Sequence, residues 1–294
     1  MRPDDTEPWR LDRWLTLNAA RPVAALRGAR REPAIPVLMY HGVAPSLDTG
    51  PHPYLRTVTS PERFAEQMAL LARLGRRPVR MSTAAQLLQR AAAGADDWRN
   101  TVVLSFDDGL RDFFVHARPV LARHGFAATV FLVSDCIGGD FVDGRPCLRG
   151  GEIRALADAG VEFGSHTASH PRLVELTEDR LHRELADSRD AIAQLTGRAV
   201  TQFAYPYRFP QEAPAFTRRL AAQLRECGYV AGVTTVIGRA RPGDDPLFLP
   251  RLPVNDCDDT PLLAAKLAGD YDWLRPLQRL RKQLRALAPA RSAA

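Results

Sequence analysis

The chain has 294 residues, of which 45% are hydrophobic, and this is enough to bury the core of one large domain with short extensions. Six Arg and Lys against one Asp in the last 24 residues account for most of the net charge of +6, and the nearly neutral remainder argues against a nucleic-acid-binding surface. The four cysteines show no Cys-x-x-Cys spacing, which argues against a disulfide framework or a structural zinc site.

The N-terminal segment predicts a helix over about residues 11–27, which could pack on the core or lie free. Its apolar residues are interrupted by Asn18, Arg21 and Pro22, so it lacks the continuous apolar core of a signal peptide. Nowhere does the chain reach the roughly 18 consecutive apolar residues of a membrane span. We therefore expect a cytoplasmic protein.

The following segments alternate between strand and helix patterns. An apolar strand over residues 35–43 carries His41 near its end, where a single histidine is more often structural than catalytic. Ser60 and Pro61 predict the start of a helix. Helices are predicted over residues 60–74, after 83, and over 112–124, 151–158, 177–195, 215–226 and beyond 260, with strands over 78–81, 101–104, 127–133, 161–163, 200–204, 229–234 and 249–254. This alternation predicts an α/β fold with a parallel sheet, and the number of units favours a closed barrel over an open sheet.

Two adjacent carboxylates and a glycine, Asp107, Asp108 and Gly109, follow the most apolar of these strands. In parallel α/β folds the reacting groups gather beyond the carboxyl ends of strands, where paired Asp can bind a metal or act as a base. Asp-Gly is also an ordinary turn dipeptide, so the motif alone leaves both interpretations open.

Two histidines four residues apart, His166 and His170, follow the strand predicted over 161–163. Neutral imidazole is a common ligand of zinc and similar metals, although an exposed loop pair would look the same. A third polar segment, Tyr205-Pro206-Tyr207, follows the next strand.

The order Asp-Asp-Gly, then Ser-His-Thr-x-x-His-Pro, then an aromatic-Pro-Tyr segment resembles the polysaccharide deacetylases of the NodB-homology type, carbohydrate esterase family four. The resemblance covers about residues 35–255. It implies a distorted (β/α) barrel with about seven parallel strands. It also implies a metal-dependent hydrolase that removes N-acetyl groups from an amino sugar in a glycan or glycan precursor. A deformylase, an O-acetyl esterase or a catalytically inactive glycan-binding member would carry similar motifs.

The resemblance assigns the metal ligands to Asp108, His166 and His170, a set that leaves an open position for water. A mixed oxygen and nitrogen set suits Zn²⁺ first and also Co²⁺, Ni²⁺, Mn²⁺ or Fe²⁺. We assign the base to Asp107. We assign the proton donor to His41, since one branch of the family carries this histidine in an N-terminal Met-Tyr-His segment.

The remaining assignments concern the substrate. The resemblance implies that the backbone N–H of Tyr207 binds the oxyanion of the tetrahedral intermediate and that Pro206 fixes that backbone. Tyr-Pro-Tyr could equally be a structural turn. Ala204 stands where relatives often carry an Arg that orients the catalytic Asp, and Arg251 is our candidate replacement. Arg208 replaces a common Gly, and it could narrow the groove or meet an anionic substrate.

Many relatives are exported, so a cytoplasmic protein would act on a glycan precursor such as a lipid-linked or nucleotide-linked sugar. The proposed organisation is an N-terminal extension over 1–32, a catalytic domain over 33–258 and a basic helical tail over 259–294. In the tail, leucines repeat at spacings of three, four and three among cationic residues, namely Leu277, Leu280, Leu284 and Leu287. This amphipathic pattern indicates a helix packed on the barrel, or one over 271–288 that contacts the inner membrane face or a partner.

Overall fold

The computed structural model describes residues 10–26, 33–45, 56–94 and 98–287. Its strands are β1 (Val37–Tyr40), β2 (Gly42–Val43), β3 (Val58–Thr59), β4 (Arg77–Val79), β5 (Thr101–Phe106), β6 (Thr129–Leu132), β7 (Glu162–Ser165), β8 (Gln202–Ala204), β9 (Ala231–Ile237) and β10 (Leu249–Pro253). Its α-helices are α1 (Leu11–Leu15), α2 (Arg21–Leu26), α3 (Pro61–Arg73), α4 (Met81–Ala92), α5 (Arg118–His124), α6 (Gly150–Asp158), α7 (Glu178–Thr196), α8 (Pro214–Glu226), α9 (Thr260–Ala268) and α10 (Leu274–Leu287). Single π-helical segments join α1 to α2 and precede α5.

The parallel strands close into a barrel. Their order is β1-β10-β9-β8-β7-β6-β5, and β5 pairs back onto β1, which leaves seven strands in the ring. Strand β4 pairs with the first half of β5, and β6 with its second half, both on the edge opposite β1. The expected seven-stranded (β/α) barrel is therefore confirmed.

Strand β5 shows how the sequence fills this barrel. All six of its side chains are buried, as expected of a strand covered on both faces. Val102, Leu104 and Phe106 belong to the large cluster that packs under the helices. Val103, on the other face, belongs to a second cluster with Phe131 and other barrel residues.

Some element bounds differ from the sequence expectation. The strand predicted over 78–81 ends at Val79, and Met81 already begins α4, where its N–H donates to Thr129 Oγ1 at 2.9 Å. Strand β7 extends to Ser165 because that residue pairs with Leu132 of β6. The segment that contains His166 and His170 therefore begins directly at the end of the strand.

The N-terminal helical segment packs on the barrel through a buried ionic network. Arg10 contacts Asp12 at 2.6 Å and Asp258 at 3.2 Å, and Tyr271 donates its hydroxyl to Asp12 at 2.6 Å. Lys266 also reaches Asp258, at 2.7 Å. Removing one partner of a buried pair typically destabilises a protein by about 3–5 kcal/mol, so this network stabilises the packing of the N-terminal helical segment against Asp258 and Tyr271.

Helix α10 also packs on the barrel, with its first residue, Leu274, against the core and with polar side chains further along the helix. Gln278 bonds the backbone of β9 at Ile237, and Lys282 donates to Phe209 O at 2.9 Å. Leu277 and Leu280 are 50% and 52% exposed, so they face away from the barrel. The side chains of Leu284 and Leu287 lie outside the described residues.

Across the described ranges, the helices are all too short or too polar to traverse a bilayer. The four cysteines are free thiols.

Candidate metal centre

The Asp-Asp-Gly turn lies at the carboxyl end of β5. Asp107 N donates to Tyr40 O at 3.0 Å, which continues the pairing of β5 with β1. Asp108 and Gly109 then both adopt left-handed backbone conformations, with φ of +68°. A Cβ at position 109 would lie 2.7 Å from the Leu132 side chain, so this turn requires glycine where it passes β6.

His166 directly follows β7, whose carboxyl end lies at the same end of the barrel as that of β5. Its Nδ1 lies 2.8 Å from Ala204 O, so Nδ1 carries the proton and Nε2 offers its lone pair to the site. The loop to His170 is fixed by Glu184, whose carboxylate accepts the N–H groups of Ala168 and Ser169. His170 is therefore held at a left-handed φ of +55° beside His166.

The three side chains converge on one point. Asp108 Oδ1 lies 3.6 Å from His166 Nε2 and 3.8 Å from His170 Nε2. One ligand atom from each residue lies within 4.8 Å of the other two, and all three residues are buried. Metal–ligand bonds of about 2.0–2.2 Å bring ligand atoms to similar separations around a single ion.

The charges at this point also favour a bound cation. Burial, and then the neighbouring charge of Asp107, raise the pKa of Asp108 to about 8. Burial lowers the pKa of His166, and burial together with His166 lowers the pKa of His170 to about 3. A bound divalent ion would stabilise the ionised form of Asp108 and so offset the cost of burying its charge. The imidazoles are already in the neutral form that ligates a metal. The donor set therefore fits a divalent metal.

Asp107 is separate from this cluster and is paired with Arg251. Both carboxylate oxygens accept from the Arg251 guanidinium at 2.7 Å, and Arg251 Nε donates to Thr234 O at 3.0 Å. Burial alone would raise the pKa of Asp107, but Arg251, with smaller contributions from His166 and His41, holds it below its usual range. Asp107 is consequently an ionised carboxylate in a buried site.

His41 also lies near Asp107, with its Nε2 at 4.0 Å from Asp107 Oδ2. Burial lowers its pKa to about 4, with Asp107 opposing and Arg251 adding to the effect. The imidazole is therefore neutral near pH 7. Since its side chain is 23% exposed, it can reach a molecule in the site.

The aromatic-Pro-Tyr segment borders the site at His170. The Tyr207 ring centroid lies 4.4 Å from that of His170, and Tyr207 has a left-handed φ of +55°. Within the described part of the chain, the Tyr207 N–H has no hydrogen-bond acceptor. Pro206 fixes the preceding backbone. Arg208 is exposed and pairs with Glu212.

Two side chains near the metal centre were missed by the sequence analysis. Arg145 Nη2 lies 4.0 Å from Asp108 Oδ2, and the Phe141 ring centroid lies 5.2 Å from that of His170. Both come from the irregular segment between β6 and α6, where no motif or periodicity marks them.

The chain is similar to known polysaccharide deacetylases. Residues 95–232 match the model of the polysaccharide deacetylase family. The chain is 28% identical to YxkH of Bacillus subtilis over 70% of this chain, and 29% identical to the peptidoglycan-N-acetylmuramic acid deacetylase PdaA of the same organism over 42% of this chain. These alignments span 66% of YxkH and 44% of PdaA, less than two thirds of either relative's length.

Among solved structures, IcaB from Ammonifex degensii is similar to this chain. It has a TM-score of 0.67 and 26% sequence identity, and the match covers 80% of this chain and 97% of IcaB.

Proposed function

We propose that this chain, whose residues 95–232 belong to the polysaccharide deacetylase family, is a metal-dependent hydrolase that removes N-acetyl groups from an amino sugar in a glycan or glycan precursor. The observation that carries the proposal is a buried Asp108, His166 and His170 cluster beside a separate, ionised Asp107. A base and a set of metal ligands in one site can together catalyse the hydrolysis of an amide. PdaA, by its name, acts on an N-acetylated sugar of peptidoglycan.

Asp108, His166 and His170 would hold the ion, with Zn²⁺ as the first candidate and Co²⁺, Ni²⁺, Mn²⁺ or Fe²⁺ also compatible. A bound divalent ion polarises the amide carbonyl and makes water a usable nucleophile near neutral pH. Asp107 accepts the proton of the attacking water, and Arg251 keeps that carboxylate ionised and oriented.

The leaving nitrogen must be protonated, since an amide nitrogen leaves poorly as an anion. His41, in the Met39-Tyr40-His41 segment, is the group we propose to deliver that proton, as in the branch of the family with an N-terminal Met-Tyr-His motif. Because the imidazole is neutral near pH 7, it would first take up the proton that Asp107 accepts from the attacking water. Its place beside Asp107, at 4.0 Å, supports this role. The unpaired N–H of Tyr207 is our candidate donor to the oxyanion.

The substrate we propose is an N-acetylated glycan or a lipid-linked or nucleotide-linked sugar. The same groups could hydrolyse a formamido sugar or an O-acetyl ester, and a member without turnover would keep the metal alone. Arg208, at the exposed edge of the Tyr-Pro-Tyr segment, would meet the anionic part of a linked sugar.

The test is acetate release from N-acetylglucosamine oligomers, a lipid-linked N-acetylhexosamine and an O-acetylated glycan. We expect release from an N-acetylated substrate to fall at least about 100-fold after treatment with a chelator and to return when Zn²⁺ is added, because the ion supplies the electrostatic stabilisation. Release from the O-acetylated glycan alone would indicate an esterase. A protein that binds metal but releases no acetate from any of the three would contradict the proposal.

We further propose that α10 contacts an anionic membrane surface, at the inner face of the cytoplasmic membrane. Gln278 and Lys282 hold the helix on the barrel with Leu277 and Leu280 turned outward. Arginines flank these leucines, and exposed leucines between cations are typical of interfacial helices.

In vesicle co-sedimentation of the full chain, we expect the L277S/L280S double variant to bind phosphatidylglycerol vesicles about tenfold more weakly than the unmodified protein, because less apolar area enters the interface. Val230→Ser, which changes an exposed valine immediately before β9, is the matched control and should bind normally. Equal binding to neutral phosphatidylcholine vesicles, or no loss in the double variant, would contradict the membrane contact.

A further inference from the structure

The two histidines of the metal centre are oriented in different ways. The His166 ring is fixed directly, since its Nδ1 lies 2.8 Å from Ala204 O. The Nδ1 of His170 is buried and, within the described part of the chain, has no hydrogen-bond partner. A histidine that ligates a metal almost always donates its second ring nitrogen to a neighbouring group, which sets the direction of the ring. The direction of His170 therefore depends on the backbone that carries it and on the rings packed beside it.

The backbone before His170 is held in an unfavourable conformation. Thr167 and His170 have left-handed φ values of +72° and +55°, which residues with a Cβ rarely adopt unless surrounding contacts impose them. Two of the N–H groups in this loop are satisfied close by, since Ser165 Oγ accepts from Thr167 at 3.1 Å and Thr167 Oγ1 accepts from His170 at 3.0 Å. The N–H groups of Ala168 and Ser169, between them, need an acceptor from another element.

Glu184, in the second turn of α7, supplies that acceptor. Its Oε2 accepts from the N–H groups of Ala168 at 3.0 Å and Ser169 at 2.9 Å, and its Oε1 accepts from Ser169 Oγ at 2.6 Å. The Glu184 side chain is 6% exposed, and the exposed Arg180 reaches it only at 3.9 Å. Hydrogen bonds to a carboxylate are roughly twice as strong as bonds between neutral groups. A helix thus holds the middle of the loop in place through a buried carboxylate.

We propose that Glu184 is a positioning residue of the metal centre, whose bonds to the loop keep His170 Nε2 directed at the ion and so set the metal affinity. This inference rests on the proposed function, since it concerns the ion that the deacetylase would use. Glu184 itself is outside the ligand cluster, which consists of Asp108, His166 and His170. Without its bonds the loop can leave the left-handed conformation, and His170 would then be withdrawn while the other two ligands stay in place.

Two substitutions separate the reach of the Glu184 side chain from its charge. Glu184→Asp keeps the charge but withdraws the carboxylate by one methylene group, so it cannot accept from both N–H groups. Glu184→Gln removes the charge but keeps the reach, because the amide oxygen can accept from both N–H groups and the amide nitrogen can donate to Ser169 Oγ. A positioning role predicts that the first variant binds metal weakly and that the second binds it normally.

The Zn²⁺ dissociation constant is measured on the full chain by competition with a chromophoric chelator, which needs no turnover. We expect Glu184→Asp to bind Zn²⁺ about 10–100-fold more weakly, the usual cost of removing an outer hydrogen-bond partner at a metal site. Glu184→Gln should stay within about fivefold of the unmodified protein, because it loses only the assistance of the charge. The visible absorption of the Co²⁺-loaded protein reports the coordination geometry, and it should change in Glu184→Asp alone.

Glu178→Asp is the matched control, since it makes the same change at an exposed side chain in the first turn of the same helix and should alter neither measurement. Unchanged Zn²⁺ affinity in Glu184→Asp, or a larger loss in Glu184→Gln than in Glu184→Asp, would overturn the positioning role while leaving acetate release by the unmodified protein intact. A protein that shows the expected order of Zn²⁺ affinities but releases no acetate would support the positioning role and overturn the deacetylase.

Discussion

Replacing Asp107 with Asn is expected to lower kcat for acetate release by about 10²–10⁴-fold while the bound metal stays at one ion per chain. Asn cannot accept a proton from the attacking water, so the base is lost. The metal is retained because the three clustered ligand atoms come from Asp108, His166 and His170. Acetate release gives kcat, and elemental analysis of the purified variant gives the metal content.

The matched control for this variant is Asp135→Asn, which changes an exposed carboxylate just after β6 and should leave kcat within about twofold, as expected of a surface change. Unaltered turnover in Asp107→Asn would remove the base assignment. Loss of the ion in Asp107→Asn would instead place Asp107 among the ligands. Circular dichroism separates either result from unfolding, which is relevant because Arg251 loses its counter-charge.

The sequence was sufficient to predict the barrel, and the end of it at which Asp108 and His166 lie, for one physical reason. Parallel strands carry their carboxyl ends to the same end of a barrel, so residues directly after β5 and β7, which are separated only by β6, lie at one end. Asp108 and His166 occupy those positions. Their convergence follows from the alternation of strands and helices together with the residue types.

Contacts made by loop residues could not be predicted from the sequence in the same way. The left-handed backbone at Asp108 and His170 aims each side chain, and no residue pattern marks that conformation at a non-glycine position. Arg145 reaches the site from an irregular segment. In α10 the spacing of the leucines predicted an amphipathic helix. Spacing alone cannot show which face of the helix packs on the barrel, and in the structure Gln278 and Lys282 lie on that face.

The pairing of Asp107 with Arg251 joins residues 144 positions apart, and it gives the second large expected effect. Replacing Arg251 with Met is expected to lower the free energy of unfolding by about 3–5 kcal/mol, because a buried carboxylate is left without its cation. Urea unfolding at pH 7 measures this loss. Arg198→Met, which removes an exposed ion pair with Asp158, is the control and should change the free energy of unfolding by no more than about 1 kcal/mol.

The pH dependence of this loss has a definite sign. With Arg251 present, the folded-state pKa of Asp107 lies below its unfolded value of about 3.9, so the stabilisation is present above that value and is lost as the pH falls through the folded pKa. Without Arg251, burial would raise the folded-state pKa of Asp107 above its unfolded value. The cost of ionising the buried carboxylate would then destabilise the protein as the pH rises above that unfolded value. The difference in unfolding free energy between the two proteins should therefore grow from pH 4 to pH 7.

Combining the two substitutions separates the charge effect from the loss of packing. In the double variant D107N/R251M neither buried charge remains, so its free energy of unfolding should exceed that of Arg251→Met alone. Activity should stay as low as in Asp107→Asn, because restoring stability does not restore the base. If the double variant were no more stable than Arg251→Met, the unpaired charge of Asp107 would not explain the instability of Arg251→Met, and the lost bonds of Arg251 to Thr234 and Ser105 would explain it instead.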